Sequence, residues 1–201
     1  EAVGDNVDIA LDAHGRFSPA MAVRVSRALE EFNILFLEEP VLPEHTDALR
    51  RVAPEIPVPI ATGERLYSKF SFTNVLDFID IAQPDLVNVG GITEMHAIAQ
   101  LCEAHYVALA PHNPLSPVNT AASLHIAAAS PNFLIQEVPR HDGDLFRSEI
   151  RLSILDKNIE TIEDGYLQLP PGPGLGVELN EQVALKNPAK GLSLLEATHT
   201  D

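Results

Sequence analysis

Short apolar runs rich in Val, Ile and Leu recur from residue 7 to residue 139, separated by longer stretches whose apolar positions fall at helical spacing. VDIALDAH (7–14), ILFLEEP (34–40), VPIATGER (58–65), FIDIAQPDLVNVGG (78–91), VALAPHNP (107–114) and FLIQEVP (133–139) are strand-sized, and the fourth runs into a glycine pair. Between them SPAMAVRVSRALEEF, HTDALRRVAPE, FSFTNVLDF, ITEMHAIAQLCEAHY and PVNTAASLHIAAAS predict helices. The first helix opens on Ser18-Pro19, a pair suited to a cap and a first turn.

A polar or titratable residue closes each strand: Asp12, Glu38, Glu64, Asp85, His112 and Glu137, at intervals of 26, 26, 21, 27 and 25 residues. Each interval suits one strand, one helix and two loops, so these residues share a phase in a parallel sheet. A doubly wound sheet gathers its functional groups near one switch point, whereas an α/β barrel delivers a side chain from the end of every strand to a common mouth. The expectation is therefore an α/β barrel. Closure takes about eight strands. With six counted, the reading is an incomplete barrel that lacks its first two strands, and Glu1 in place of an initiator suggests a start inside something larger.

After Pro139 the alternation stops. This divides the chain into 1–139, the barrel strands, and 140–201, a segment expected to pack on the barrel exterior or on a neighbouring domain. DGYLQLPPGPGLGVELNE is its Pro- and Gly-rich part, with strand-like flanks. Gly172, Gly174 and Gly176 fail the spacing of a dinucleotide-binding loop.

Composition narrows the function classes. The 201 residues, 45% hydrophobic and 21% charged, suffice for one large core. No run of eighteen apolar residues offers a membrane span and no basic-then-apolar leader opens the chain. A single cysteine, Cys102, excludes an internal disulfide and fits a reducing cytoplasm. A net charge of −16 with only thirteen scattered Lys and Arg argues against nucleic acid. It still permits an anionic substrate, because a bound cation inverts the local potential.

Asp12, Glu38 and Glu64 are spaced to bring three carboxylates together, which is unfavourable unless a cation sits among them. An all-oxygen set favours magnesium. The alternative for each acid is a cap on the following helix.

LDAHGR, FLEEP, ATGER, QPDLVNVGGIT, APHNPLSP and LIQE stand in one order and spacing. Together they resemble the barrel domain of the enolase superfamily, in its mandelate racemase-like subgroup, and most nearly its galactonate dehydratases. The likeness runs from about residue 7 to 137 and returns at PGLGVE. It implies a TIM-type (β/α)7β barrel, here strands three to eight without the N-terminal capping domain. It also implies magnesium on Asp12, Glu38 and Glu64, with Glu39 pointing elsewhere.

The resemblance further implies that His112 is the base removing a proton α to a sugar-acid carboxylate, with Asp85 fixing its tautomer. His14, two residues past Asp12, would protonate the departing β-hydroxyl, and Glu137 would hydrogen-bond the enediolate oxygen or, more plainly, pair with a nearby base. Arg16, Arg65 and Asn88 are candidates for substrate contacts or, equally, for a structural ion pair or loop hydrogen bond. The implied reaction is dehydration of a small-molecule sugar acid, galactonate first, to a 2-keto-3-deoxy acid in the cytoplasm by a homo-oligomer. A racemase or epimerase of the same fold, whose lysine base would lie on the missing second strand, and a non-catalytic incomplete barrel are the rivals. Asn113 stands where those dehydratases carry cysteine, so the likeness is weaker for the exact substrate.

Overall fold

The computed structural model describes residues 3–4, 6–114, 116–139 and 149–188. Five parallel strands form one sheet in sequential order: β1 (Ala10–Asp12), β2 (Phe36–Glu38), β3 (Ile60–Thr62), β4 (Ile81–Ala82) and β5 (Ala108–Leu109). Helices α1 (Pro19–Leu29), α2 (Thr46–Val52), α3 (Lys69–Phe72) and α4 (Ile92–Ala104) connect them, and α5 (Pro117–Ala129) follows β5. A strand order that never reverses is that of a barrel wall, since a doubly wound sheet turns back at its switch point.

The two-residue period of the strands sorts their side chains. Leu37, Ile60, Ala82 and Leu109 join the large cluster that includes helix residues Phe72, Met95 and Ile98. Phe36, Ala61, Ile81 and Ala110 form a small separate cluster on the opposite, inward face. Asp12 pairs in register with Glu38, and Glu38 has the parity of Phe36, so both acids belong to the inward face at its carboxyl end. Each helix covers the outer face with a buried stripe, such as Ala22, Val23 and Ser26 on α1.

Local chemistry sets the boundaries. The hydroxyl of Ser18 accepts from the Met21 amide at 3.3 Å, Pro19 occupies the first turn, and Asn33 leaves the following 3-10 turn in a left-handed conformation. The fourth expected strand is much shorter than FIDIAQPDLVNVGG suggests. After Ala82, the Asp85 carboxylate accepts from the amides of Val87 (2.8 Å) and Asn88 (3.3 Å), which turns the chain before the glycine pair.

The expected last strand, FLIQEVP, is extended but joins the sheet through a single parallel bridge, Leu109 to Phe133, with amide bonds of 2.8 Å on either side of Leu109. Among the described residues no strand pairs with its far edge. The stretch after Pro139 holds more helix than its mixed composition suggests: α6 (Glu149–Ser153) and α7 (Glu181–Lys186) flank a hairpin of β6 (Ile162–Glu163) and β7 (Tyr166–Leu167). Asp164 and Gly165, both at positive φ, make its two-residue turn. Leu155, Ile159, Leu175 and Val177 of this stretch pack on Ala121 of α5. Residues 140–148 and 189–201 of the expected C-terminal segment lie outside the described residues. No helix among the described residues is long and apolar enough to cross a membrane.

Candidate active site

All six strand-closing residues lie at the carboxyl end of the sheet: Asp12 and Glu38 end β1 and β2, and Glu64, Asp85 and His112 follow β3, β4 and β5 within three residues. Glu137 follows the bridged residue Phe133 by four. A parallel bridge joins Asp85 to His112 directly.

The contacts among titratable groups centre on Glu64 and His112. His112, its side chain 15% exposed, has Nδ1 2.9 Å from Asp85 Oδ2 and Nε2 3.1 Å from Glu64 Oε2. The other Glu64 oxygen lies 3.8 Å from His14 Nδ1. Glu64 thus stands between two imidazoles contributed by different strands. His14 sits at φ 50°, its amide donates to Asp12 Oδ1 (2.6 Å), and its Nδ1 lies 3.2 Å from Asp12 Oδ2. The left-handed turn folds His14 back over the acid two residues earlier, where a continued strand would only have put both on one side.

Charge is crowded here. Burial, opposed by a hydrogen bond from Gln83 and reinforced by the negative charges of Asp12, Glu64 and Glu137, pushes the Glu38 carboxyl up to about 7. Glu64 is raised by burial and by Glu39, against the lowering influence of the two histidines. For Asp85, burial is outweighed by hydrogen bonds from His112 and the amides of Val87 and Asn88, and its carboxyl lies below the usual value. Burial would lower His112, but its bond to Asp85 and the charges of Glu137, Glu64 and Asp85 prevail and raise it.

The other candidates have definite partners. Arg65 forks onto Glu39, with Nε 3.2 Å from Oε1 and a second, shorter bond from a terminal nitrogen to Oε2; its other terminal nitrogen lies 3.7 Å from Glu44, and Nε also lies 3.7 Å from Glu64 Oε1. Glu39, buried at 1% exposure, therefore turns away from Glu38 to Arg65. Gly15 makes room for this pair, since a β-carbon there would lie 2.9 Å from the guanidinium. Asn88 donates its side-chain amide to the Glu64 carbonyl at 2.8 Å. Arg16 is exposed and its backbone bridges to Val41. Glu137 is exposed and accepts from the Asn113 amide at 2.7 Å.

Among the described residues, the trio whose ligand atoms all lie within 4.8 Å of one another is His14, Glu39 and Glu64, rather than Asp12, Glu38 and Glu64. Glu39 is already engaged by Arg65. Burial is the largest cause of the rise at Glu38, and the negative charges of Asp12 and Glu64 add to it. The donor set fits a hard divalent cation: oxygen donors, partly buried, with a negative charge that the nearby histidines only partly offset.

Residues 1–183 match the family model described as enolase C-terminal domain-like. The chain belongs to this enolase-type family. It is 43% identical over 187 residues to the D-galactonate dehydratase of Ralstonia nicotianae, covering 92% of this chain and 49% of that protein. Identity to the D-galactonate dehydratase of Variovorax paradoxus is 42% over 184 residues, covering 90% and 48%. A crystal structure of a mandelate racemase/muconate lactonizing enzyme from Jannaschia sp. CCS1 superposes with a TM-score of 0.85 at 35% identity, covering 95% of this chain and 48% of that one. The chain spans about half the length of the curated relatives it matches.

Some participants escape a reading by strand ends. Gln83, just past β4, hydrogen-bonds Glu38 across the mouth from two strands away, and Asn119 on α5 reaches Asp85 at 3.4 Å. Gln83 carried a usable signal, its place two residues before Asp85 at the end of β4. Asn119 carried none, because its contact spans 34 residues.

Proposed function

We propose that the protein, completed to a full barrel with residues 1–139 as strands three to eight, is a magnesium-dependent sugar-acid dehydratase. The observation that supports this most directly is the pair of imidazoles flanking Glu64, one of them backed by the Asp85 carboxylate. The sequence likeness to D-galactonate dehydratases adds the substrate class, with galactonate the leading choice.

Asp12, Glu38 and Glu64 would hold magnesium, which supplies the positive charge that offsets these acids and steadies negative charge developing on the substrate carboxylate. Asp85 accepts from Nδ1 of His112, which leaves Nε2 as the nitrogen that takes the α-proton. Removal of that proton leaves the electron pair on the substrate as an enediolate, and Glu137 lies close enough to influence His112 electrostatically. Collapse of the enediolate expels the β-hydroxyl, and a proton from His14 converts it to water. The resulting enol gains a proton at C3 and releases its C2 hydroxyl proton to give the 2-keto-3-deoxy acid. Arg16, exposed, would contact the substrate, whereas Arg65 and Asn88 would act indirectly, through Glu39 and the Glu64 carbonyl.

The test is a screen of sugar acids with the full-length protein and magnesium, reading 2-keto acid formation and exchange of the α-proton with solvent deuterium. Dehydration that EDTA abolishes is expected. His112→Asn should abolish exchange, and His14→Asn should spare exchange while stopping loss of water. Exchange with no dehydration in the wild type would make the protein a racemase or epimerase instead.

A further inference from the structure

A chain of buried polar groups runs from the C-terminal stretch to the mouth of the barrel. It begins at Glu160, which Arg151 grips with two bonds, Nε to Oε2 at 3.0 Å and a terminal nitrogen to Oε1 at 2.7 Å, their side chains 8% and 10% exposed. The same Oε1 accepts from the Thr120 hydroxyl on α5 at 2.5 Å. Thr120 in turn accepts from the side-chain amide of Asn113 at 2.6 Å. Asn113, the residue after His112, reaches Glu137 twice: its backbone amide donates to Oε2 at 2.7 Å and its side-chain amide to the carbonyl at 3.4 Å.

The direction of every bond follows from the ends. A carboxylate only accepts, so at 2.5 Å the single hydroxyl proton of Thr120 goes to Glu160 in preference to the Ser116 carbonyl at 3.2 Å, and its oxygen accepts from Asn113. That orients the Asn113 amide, Nδ2 toward Thr120 and Glu137. Asn113 and Thr120 are both fully buried, so water cannot substitute for a lost partner. The Asn113 side-chain oxygen has no hydrogen-bond partner among the described residues. A hydrocarbon side chain would avoid that cost, so what the position gains from an amide is its donors, and both face the groups just named.

We infer that Asn113 is a positioning residue that fixes the Glu137 carboxylate beside His112, anchored through Thr120 to the Glu160–Arg151 pair, so that docking of the C-terminal stretch sets the geometry of the mouth. Its kinetic consequence rests on the dehydratase reading; its structural consequence does not.

The test uses the full-length magnesium-loaded protein with Thr120→Val, which removes donor and acceptor at nearly constant volume, and Thr120→Ser, which restores both. Thr120→Val should accelerate hydrogen exchange at the Asn113 amide about tenfold, while the Leu134 amide, held by Leu109 at 2.8 Å, keeps its rate. For sugar-acid dehydration, kcat should fall about tenfold with KM within about twofold, and Thr120→Ser should recover both readouts. Thr120→Ala, which also removes donor and acceptor, carries the same measurements should the valine variant not fold. Unchanged exchange at Asn113, equal acceleration at Leu134, or faster exchange with kcat intact would each overturn the inference. A wild-type protein inert toward every sugar acid would instead overturn the functional reading, with the exchange rates still deciding the positioning role.

Discussion

At the scale of single residues, the site is a balance between buried charge and the partners that tolerate it. Glu38 shows the sign. Its folded carboxyl titrates at about 7 against 4.5 for an unperturbed glutamate, so between those values the folded chain holds a proton that the unfolded chain has lost. Stability of the cation-free protein should therefore fall as pH rises from 4.5 to 7, by at most roughly 3 kcal/mol, and Glu38→Gln should flatten the decline. Urea denaturation at pH 5 and pH 8 in the presence of EDTA checks this. Asp85→Asn keeps the shape of the His112 partner but removes its charge, and the proposed α-proton exchange should slow at least about a hundredfold. Cys102 makes the opposite case: burial pushes its thiol up to about 12, so at pH 8 a thiol reagent should label it only after denaturant is added.

At the scale of elements, two short signals delimit long ones. Ser18 with Pro19 starts α1, and Ser18→Ala should cost about 1 kcal/mol of stability by leaving the Met21 amide unpaired, measurable as a lower urea midpoint at constant slope. The strands were legible as apolar runs, while the different directions of Glu38 and Glu39 were implied by the family resemblance, and Glu39 pairs with Arg65. Their lengths were not. In FIDIAQPDLVNVGG the alternation continues past residue 85, yet the Asp85 carboxylate bonds the amides of Val87 and Asn88 and turns the chain. In FLIQEVP the pattern is that of a strand, but it meets the sheet only at the bridge from Leu109 to Phe133 among the described residues.

At the scale of the whole molecule, a net charge of −16 meets a site where acids repel one another. A divalent cation that binds only the folded state should relieve that repulsion. Magnesium at about a hundred times its dissociation constant would add roughly 2.7 kcal/mol, seen at pH 8 as a higher melting temperature than sodium chloride produces at equal ionic strength, and reversed by EDTA. No such difference would mean that the acids at the mouth hold no ion. The main core lies between sheet and helices, with Phe72 fully buried in it, so Phe72→Ala should cost about 3–5 kcal/mol wherever the site stands.

Taken alone, the order of residues determined the alternation of strand and helix, the shared phase of Asp12, Glu38, Glu64, Asp85, His112 and Glu137, and hence a barrel wall with one chemical edge. These are consequences of periodicity, which a linear chain carries in full. Only the tertiary structure decided which groups pair: Arg65 with Glu39, Asn88 with the Glu64 carbonyl, Asn113 with Thr120 and Glu137. Strand spacing brings a residue to the mouth, but a hydrogen bond depends on tenths of an ångström and on side-chain direction, and both are set by packing between segments far apart in sequence.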